Sequence, residues 1–250
     1  MTDNHQTSLL WTGGWDSTYR LCELTRNGKK VQPFYILDST RKSIRHELAA
    51  MDTIKVALKQ KYTEGSAKIL PTIYINQSDI IIDQETSTQY KNLSRKYHIG
   101  KQFEWLSAYV KANGLSGMEI AIEKNNFRQR DHFFYYLGKH LISTNNTITL
   151  SYESTDQDLL LFKGFSFPIY NTTKIAMLAE AKKYNYETIL ALTWFCHNPI
   201  RNKPCGMCNP CKDAIEEGFA FRVPVSGLMR YKLRKYRKIL KNSTNEIMTE

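Results

Sequence analysis

At 250 residues with 42 % hydrophobic side chains, the chain is long enough to bury a core without staples, as one large domain or two small ones. No stretch approaches ~18 consecutive apolar residues, which excludes a helical membrane span, and the first five residues lack the layout of a secretion signal. The formal charge of +11 points to a polyanionic partner, although much of the excess sits in one run at residues 230–238.

The first pattern is a short apolar run, Ser8-Leu9-Leu10-Trp11, leading into Thr12-Gly13-Gly14-Trp15-Asp16-Ser17-Thr18. This reads as strand, tight glycine turn and helix N-terminus. Such a place binds phosphate, because unpaired backbone N–H groups point outward and the helix dipole favours negative charge. Gly13 and Gly14 permit positive φ and close approach of oxygens. Asp16 does not suit a bare phosphate and reads as a metal partner or turn-holder. Ser17 and Thr18 are N-cap types that add hydroxyl donors. The same turn also occurs as plain structure.

Residues 19–26 then look helical, with Asn27-Gly28 as the stop. Residues 31–37 form a second strand with Pro33 near its beginning, closed by Asp38-Ser39-Thr40. Ile44, Leu48, Met51, Ile54 and Leu58 recur at helical spacing, and 68–75 read as a third strand. The polar stretch 76–97 reads as a long excursion, a lid or partner surface. Phe103, Leu106 and Val110 mark a helix before Asn113-Gly114, and 118–122 a fourth strand. Residues 127–141 read as helix and 147–150 as an edge strand. Asn171-Thr172-Thr173 cap a helix to about Tyr184, and 188–192 read as a last buried strand ending at Thr193. This alternation predicts an α/β fold: a doubly wound parallel sheet with helices on both faces. Ligands of such sheets bind at the carboxyl ends of strands, where the opening turn, Asp38 and Thr193 are expected.

Near the other end, Cys196, Cys205, Cys208 and Cys211 give C-x8-C-x2-C-x2-C, with Gly206 inside the first close pair. Four thiolates favour Zn2+, and with no open position the site is structural. Buried or disulfide-bonded cysteines and an iron–sulfur cluster are the alternatives. Pro199, Pro204 and Pro210 fit a rigid knuckle, His197 is redundant, and Cys22 reads as a small core residue. Cysteine usage fits a reducing compartment, so a cytoplasmic location is expected. The basic run, with Tyr231 and Tyr236 among its cations, reads as a solvated helix, a nucleic-acid track or a surface for an acidic protein.

Together the motifs resemble the 7-cyano-7-deazaguanine synthases of queuosine-precursor biosynthesis, zinc-containing members of the PP-loop ATP pyrophosphatase superfamily. The family's S-G-G-x-D-S-T is similar to residues 12–18 here. Its Arg-His pair resembles Arg45-His46, its Thr-Lys resembles Thr173-Lys174, and its T-W-S-C with C-G-x-C-x-x-C resembles Thr193-Trp194-Phe195-Cys196 and residues 205–211. The matches run in the family's order over residues 8–221.

The resemblance implies an adenine nucleotide alpha-hydrolase-like fold over 1–195, a zinc knuckle over 196–221 and a basic tail over 222–250. It implies ATP, Mg2+ and Zn2+, and an adenylation of a 7-deazaguanine carboxylate. The nucleotide would be held by Thr12, Gly13, Gly14, Asp16, Ser17, Thr18 and Asp38. Asp16, Ser17 and Lys174 would serve catalysis, and Arg45 and His46 the substrate; apart from the resemblance, Arg128, with Arg130 and Asp131, reads as a charged cluster for the substrate. A homodimer and ammonia as the amine are also implied. Two features depart from the family: Thr12 stands where Ser is usual, and its N-x-x-D and Tyr-Pro-Asp-Cys stretch has no counterpart between Met118 and Leu141. Related family members in antiviral gene clusters suggest conjugation to a protein amine as the second reading. A tRNA-modifying PP-loop enzyme and a nucleic-acid-binding zinc module are further ones.

Overall fold

The computed structural model describes residues 6–123, 133–144, 147–154 and 156–247, with the side chains of 238–247 excepted. Strand β1 (Thr7–Leu10) runs into helix α1 (Trp15–Arg26), which returns the chain to β2 (Val31–Leu37). Helix α2 (Ile44–Lys61) and the single turn α3 (Thr63–Ser66) lead to β3 (Ile73–Asn76). Helices α4 (Gln84–Lys96) and α5 (Gln102–Ala112) cross back to β4 (Met118–Glu119). Then follow α6 (Phe133–Gly138), β5 (Leu141–Thr144), β6 (Thr147–Leu150) and β7 (Phe165–Ser166). Helices α7 (Lys174–Lys183), α8 (Glu187–Ala191), α9 (Asn209–Glu216) and α10 (Val225–Ile247) complete the described chain.

The seven strands form one sheet in the order β3-β2-β1-β4-β7-β6-β5. The pairings from β3 to β7 are parallel, and β6 and β5 join antiparallel. The order therefore leaves β1 in both directions, which puts the switch point of the sheet at the carboxyl end of β1. Alternation along β2 shows why both faces are covered. Val31 and Tyr35 join one core with α1, α2, α7 and α8, whereas Phe34 and Ile36 join the other with α4, α5 and α6. A strand buried on both faces reads as a nearly continuous apolar run, as β2 does. Cys22 is fully buried in the first core, and burial pushes its thiol pKa up. Among the described residues, no helix is long and apolar enough to cross a membrane.

Several expectations need correction. The polar stretch 76–97 is a short turn of helix at Gln77–Asp79 followed by α4, not an open excursion. Its helix is polar because it touches the second core mainly through Leu93 and Tyr90, so little apolar periodicity is needed. Asp83 caps it, accepting from the Thr86 amide (3.2 Å) and hydroxyl (2.6 Å) and from Lys111 (2.8 Å). Asp83→Ala is expected to cost about 1 kcal/mol, read as a lower denaturation midpoint with an unchanged slope.

Residues 188–191 belong to helix α8, with Leu192 as its C-cap, rather than to a strand. A short apolar run does not distinguish the two, and here it follows the left-handed turn at Asn185 (φ 57°) and fills the core beside α1 and α2. Within 127–141 the described helix is α6, and residues from Leu141 are strand. Thr147–Leu150 is a strand as expected, but β5 lies outside it at the edge. The third strand begins at Ile73, with only a bridge from Ile69 to Val31 before it, and the fourth spans two residues.

Candidate active site and metal centre

At the switch point, the chain leaves β1 through Trp11 and Thr12 and turns at Gly13, whose φ is +68°. A Cβ there would lie 3.0 Å from the Glu47 carbonyl and 3.0 Å from Met51 Cγ, so both conformation and space require glycine. Gly13→Ala is expected to destabilise the protein by about 1–3 kcal/mol, measured by chemical denaturation. Gly14 is the N-cap of α1, so the helix begins at Trp15 rather than near Tyr19. That places Asp16 in the first turn and moves Ser17 and Thr18 inside the helix. Thr18 is fully buried, and its hydroxyl accepts the Trp11 indole N–H at 3.0 Å, so its side chain belongs to the core. Ser17 Oγ folds back on the turn and accepts the Thr12 amide at 3.3 Å.

Thr12, Gly14, Asp16 and Lys174 line one cleft of about 390 Å³, together with Arg41, Glu47, His197 and Arg222. Lys174 is the first residue of α7, held by a cap in which Thr173 Oγ1 accepts the Ala176 amide at 3.2 Å. Its ammonium is ion-paired with Glu123 and lies 3.2 Å from Glu217 and 4.0 Å from Asp16. Burial raises the Asp16 carboxyl pKa, and the charges of Lys174 and Arg222 pull it back only in part. Asp16 Oδ1 is buried with no hydrogen-bond partner among the described residues.

Arg222 has no motif to announce it. It closes the short turn Ala220–Arg222 after α9, and donates from one nitrogen to Thr193 O (2.7 Å) and Thr193 Oγ1 (2.6 Å). Its guanidinium carbon stands 5.0 Å from the Trp15 ring centre and 4.6 Å from that of Phe195. Burial pushes its pKa down to about 10, opposed by the charge of Asp16. Arg41, equally unannounced by any motif, pairs at 2.5 Å with the buried Glu47, which further accepts Ser43 Oγ (2.6 Å) and Tyr35 OH (2.7 Å).

The Arg45-His46 pair diverges: Arg45 is exposed, whereas His46 stacks on Trp194 with ring centres 4.3 Å apart. Asp38 ends β2 as expected but does not line the cleft; it holds its own turn through Thr40 N (3.0 Å) and Oγ1 (2.6 Å). Thr193, although it follows a helix, does reach the opening turn: the next amide, Trp194 N–H, donates to Gly13 O at 3.0 Å. Arg128, Arg130 and Asp131 lie outside the described residues.

The four cysteines converge as their spacing suggests. Their sulfurs all lie within 4.8 Å of one another, and all four are free. The Cys205–Cys211 and Cys208–Cys196 separations are both 3.9 Å. A disulfide requires ~2.05 Å. A tetrahedron with ~2.3 Å metal–sulfur bonds has edges of about 3.8 Å, so the four thiols fit a metal ion such as zinc. Backbone amides brace the sulfurs: Cys205 N–H donates to Cys196 Sγ (3.2 Å), and Met207 and Cys208 N–H to Cys205 Sγ (3.2 and 3.3 Å). Gly206, at φ +77°, packs its backbone directly on Gly227 of α10. The basic segment is therefore no loose tail. Arg230 and Arg234 donate to the carbonyls of Cys205 (2.9 Å) and Met207 (3.1 Å). The knuckle also walls the cleft through Phe195, His197 and Pro210. Burial and the neighbouring Arg41 hold the His197 pKa below its ordinary value.

No known family model matches the chain, and no curated protein matches it in sequence.

Proposed function

We propose that the protein is an ATP-dependent ligase similar to the 7-cyano-7-deazaguanine synthases, built on an adenine nucleotide alpha-hydrolase-like sheet. In this reading a 7-deazaguanine carboxylate attacks the α-phosphorus of ATP, giving an acyl-adenylate and releasing pyrophosphate. An amine then attacks the acyl carbon and AMP departs, leaving an amide. A second ATP can activate the amide oxygen, and elimination then yields the nitrile. The observation that carries the reading is convergence: a glycine turn at the sheet's switch point shares one cleft with Asp16, Lys174 and Arg222, beside a four-cysteine knuckle.

The residues suit the chemistry. Backbone N–H groups of the turn and the α1 N-terminus face the phosphates, with the Thr12 hydroxyl beside them. Lys174 and Arg222 stabilise the charge that grows on pyrophosphate as it leaves. Asp16 Oδ1, which accepts no hydrogen bond among the described residues, suits Mg2+, whose charge offsets the cost of an ionised carboxylate in a partly buried place. Cys196, Cys205, Cys208 and Cys211 would hold Zn2+, which supplies structure rather than reactivity.

The test is pyrophosphate release from ATP with 7-carboxy-7-deazaguanine, with and without ammonia, followed by mass spectrometry of the products. Release that needs the acid and is lost in Asp16→Ala supports the reading. Release that ignores the acid and is equal in wild type and Asp16→Ala overturns it. A second reading, conjugation of the acid to a protein amine, is favoured by α10, which starts three residues after Arg222 and carries exposed cations. Added mass on a protein instead of a free nitrile selects it.

A further inference from the structure

Helix α10 uses one face and leaves another bare. The used face packs on the knuckle through Gly227, Arg230 and Arg234, and Tyr231 OH donates to Glu216 at 2.8 Å. The bare face carries Val225, Met229, Leu233 and Tyr236, which are 67, 59, 59 and 62 % exposed. Their spacing of four, four and three residues gathers them into a strip about 80° wide and about 17 Å long. A helix that faces a core needs an apolar stripe wider than ~100°, whereas a narrow strip at these spacings is the seam of a helix pair.

Charge selects among occupants. Lys232 and Lys235 border the strip on one side and Arg237 on the other; all three are exposed, and residues 225–237 contain no acid. A second copy would set these cations against their equivalents across the seam. A nucleic-acid backbone answers the cations but makes no use of the apolar strip. A bilayer answers both but calls for a broader apolar face. We propose that α10 is the docking surface for an acidic amphipathic helix of a partner protein. Such a helix would lie at the mouth of the cleft, because Val225 follows Arg222 by three residues and Phe221, beside it, is 72 % exposed. The surface does not depend on which acid the cleft accepts.

The experiment uses the full chain and a labelled synthetic helix with Leu at the matching spacing and Glu on both flanks, followed by fluorescence anisotropy. Micromolar binding that weakens with salt is expected. Leu233→Glu, and Lys232→Glu with Arg237→Glu, are each expected to weaken it about tenfold or more. The charge-reversed double variant should regain affinity for a peptide with Lys flanks. These positions are exposed. Should a variant still misfold, the salt dependence on the wild-type chain, and its failure to bind the Lys-flanked peptide, test the same charge complementarity. Failure of the acidic peptide to bind overturns the proposal. So does self-association that Leu233→Glu abolishes, or binding to phosphatidylserine vesicles or RNA duplexes in place of the peptide.

Discussion

Removing metal from the four-cysteine knuckle, by chelation or by Cys208→Ser, is expected to melt the segment from 196 to 216 while the sheet stays folded. The reason lies in where apolar burial is found. The sheet has two large cores of its own, whereas the knuckle's cluster holds three buried cysteines with Trp194, Phe195 and Met207 packed partly against them. A bound structural metal supplies on the order of 10 kcal/mol to such a segment, far more than its packing can replace. Heating after chelation should therefore show the sheet's transition alone, and limited proteolysis should cut first between 196 and 211. Pyrophosphate release should fall at least ~100-fold, because Phe195, His197 and Pro210 form a wall of the cleft. Full-length protein that contains no metal as purified, with all four thiols freely reactive and the knuckle still protease-resistant, would contradict this.

The second large effect concerns Asp16 and Arg222. Arg222→Met should lower acid-dependent pyrophosphate release on the order of 10²-fold, since the cleft loses a desolvated cation. Arg222→Lys should not restore it, because an ammonium lacks the planar fork that meets Trp15 and Phe195 while donating to Thr193. At Asp16, activity and stability should move in opposite directions. Its folded-state pKa is raised by burial, so the wild type loses stability as pH climbs from the unfolded value of about 3.9 through the raised one. Asp16→Asn has nothing to ionise. Its melting temperature relative to wild type should therefore rise between acid and neutral pH, while pyrophosphate release drops. A difference that is flat with pH would show that folding leaves the carboxyl pKa unshifted.

What can be read from the chain is what is encoded locally. The strand, glycine turn and helix at 8–26, the amphipathic α2 and the Thr173 cap rest on neighbouring residues, and the cysteine spacing alone brings four sulfurs together. The polar helix α4 escapes such a reading because a helix that meets the core along one edge needs few apolar residues. Helix α8 reads as a strand because so short a run, with only Ile189 and Leu190 buried, carries no period, and β7 is two residues long. Within the cleft, Lys174 is legible in the sequence and Arg222 is not. The first follows a cap signal, whereas the second is an isolated arginine whose surroundings come from Trp15, Thr193 and Phe195. Thr18 shows the reverse error: a hydroxyl beside a glycine turn looks like a donor to phosphate, but the Trp11 indole takes it.

One bond gives the molecule a schedule. The carbonyl of Gly13, made early in synthesis, waits for the amide of Trp194, and Lys174 and Arg222 also come late. A growing chain can pair β1, β2 and β3 from its first 76 residues. The turn at their centre then stands open to solvent, without its cations and without its wall. A nascent chain halted near residue 190 is accordingly expected to be cut by protease close to Gly13 and to leave ATP untouched, whereas release of the full chain should protect the turn. Under the proposed reaction, synthesis from the N-terminus would thus act as a safeguard, because the cleft is not complete until almost the whole polypeptide exists.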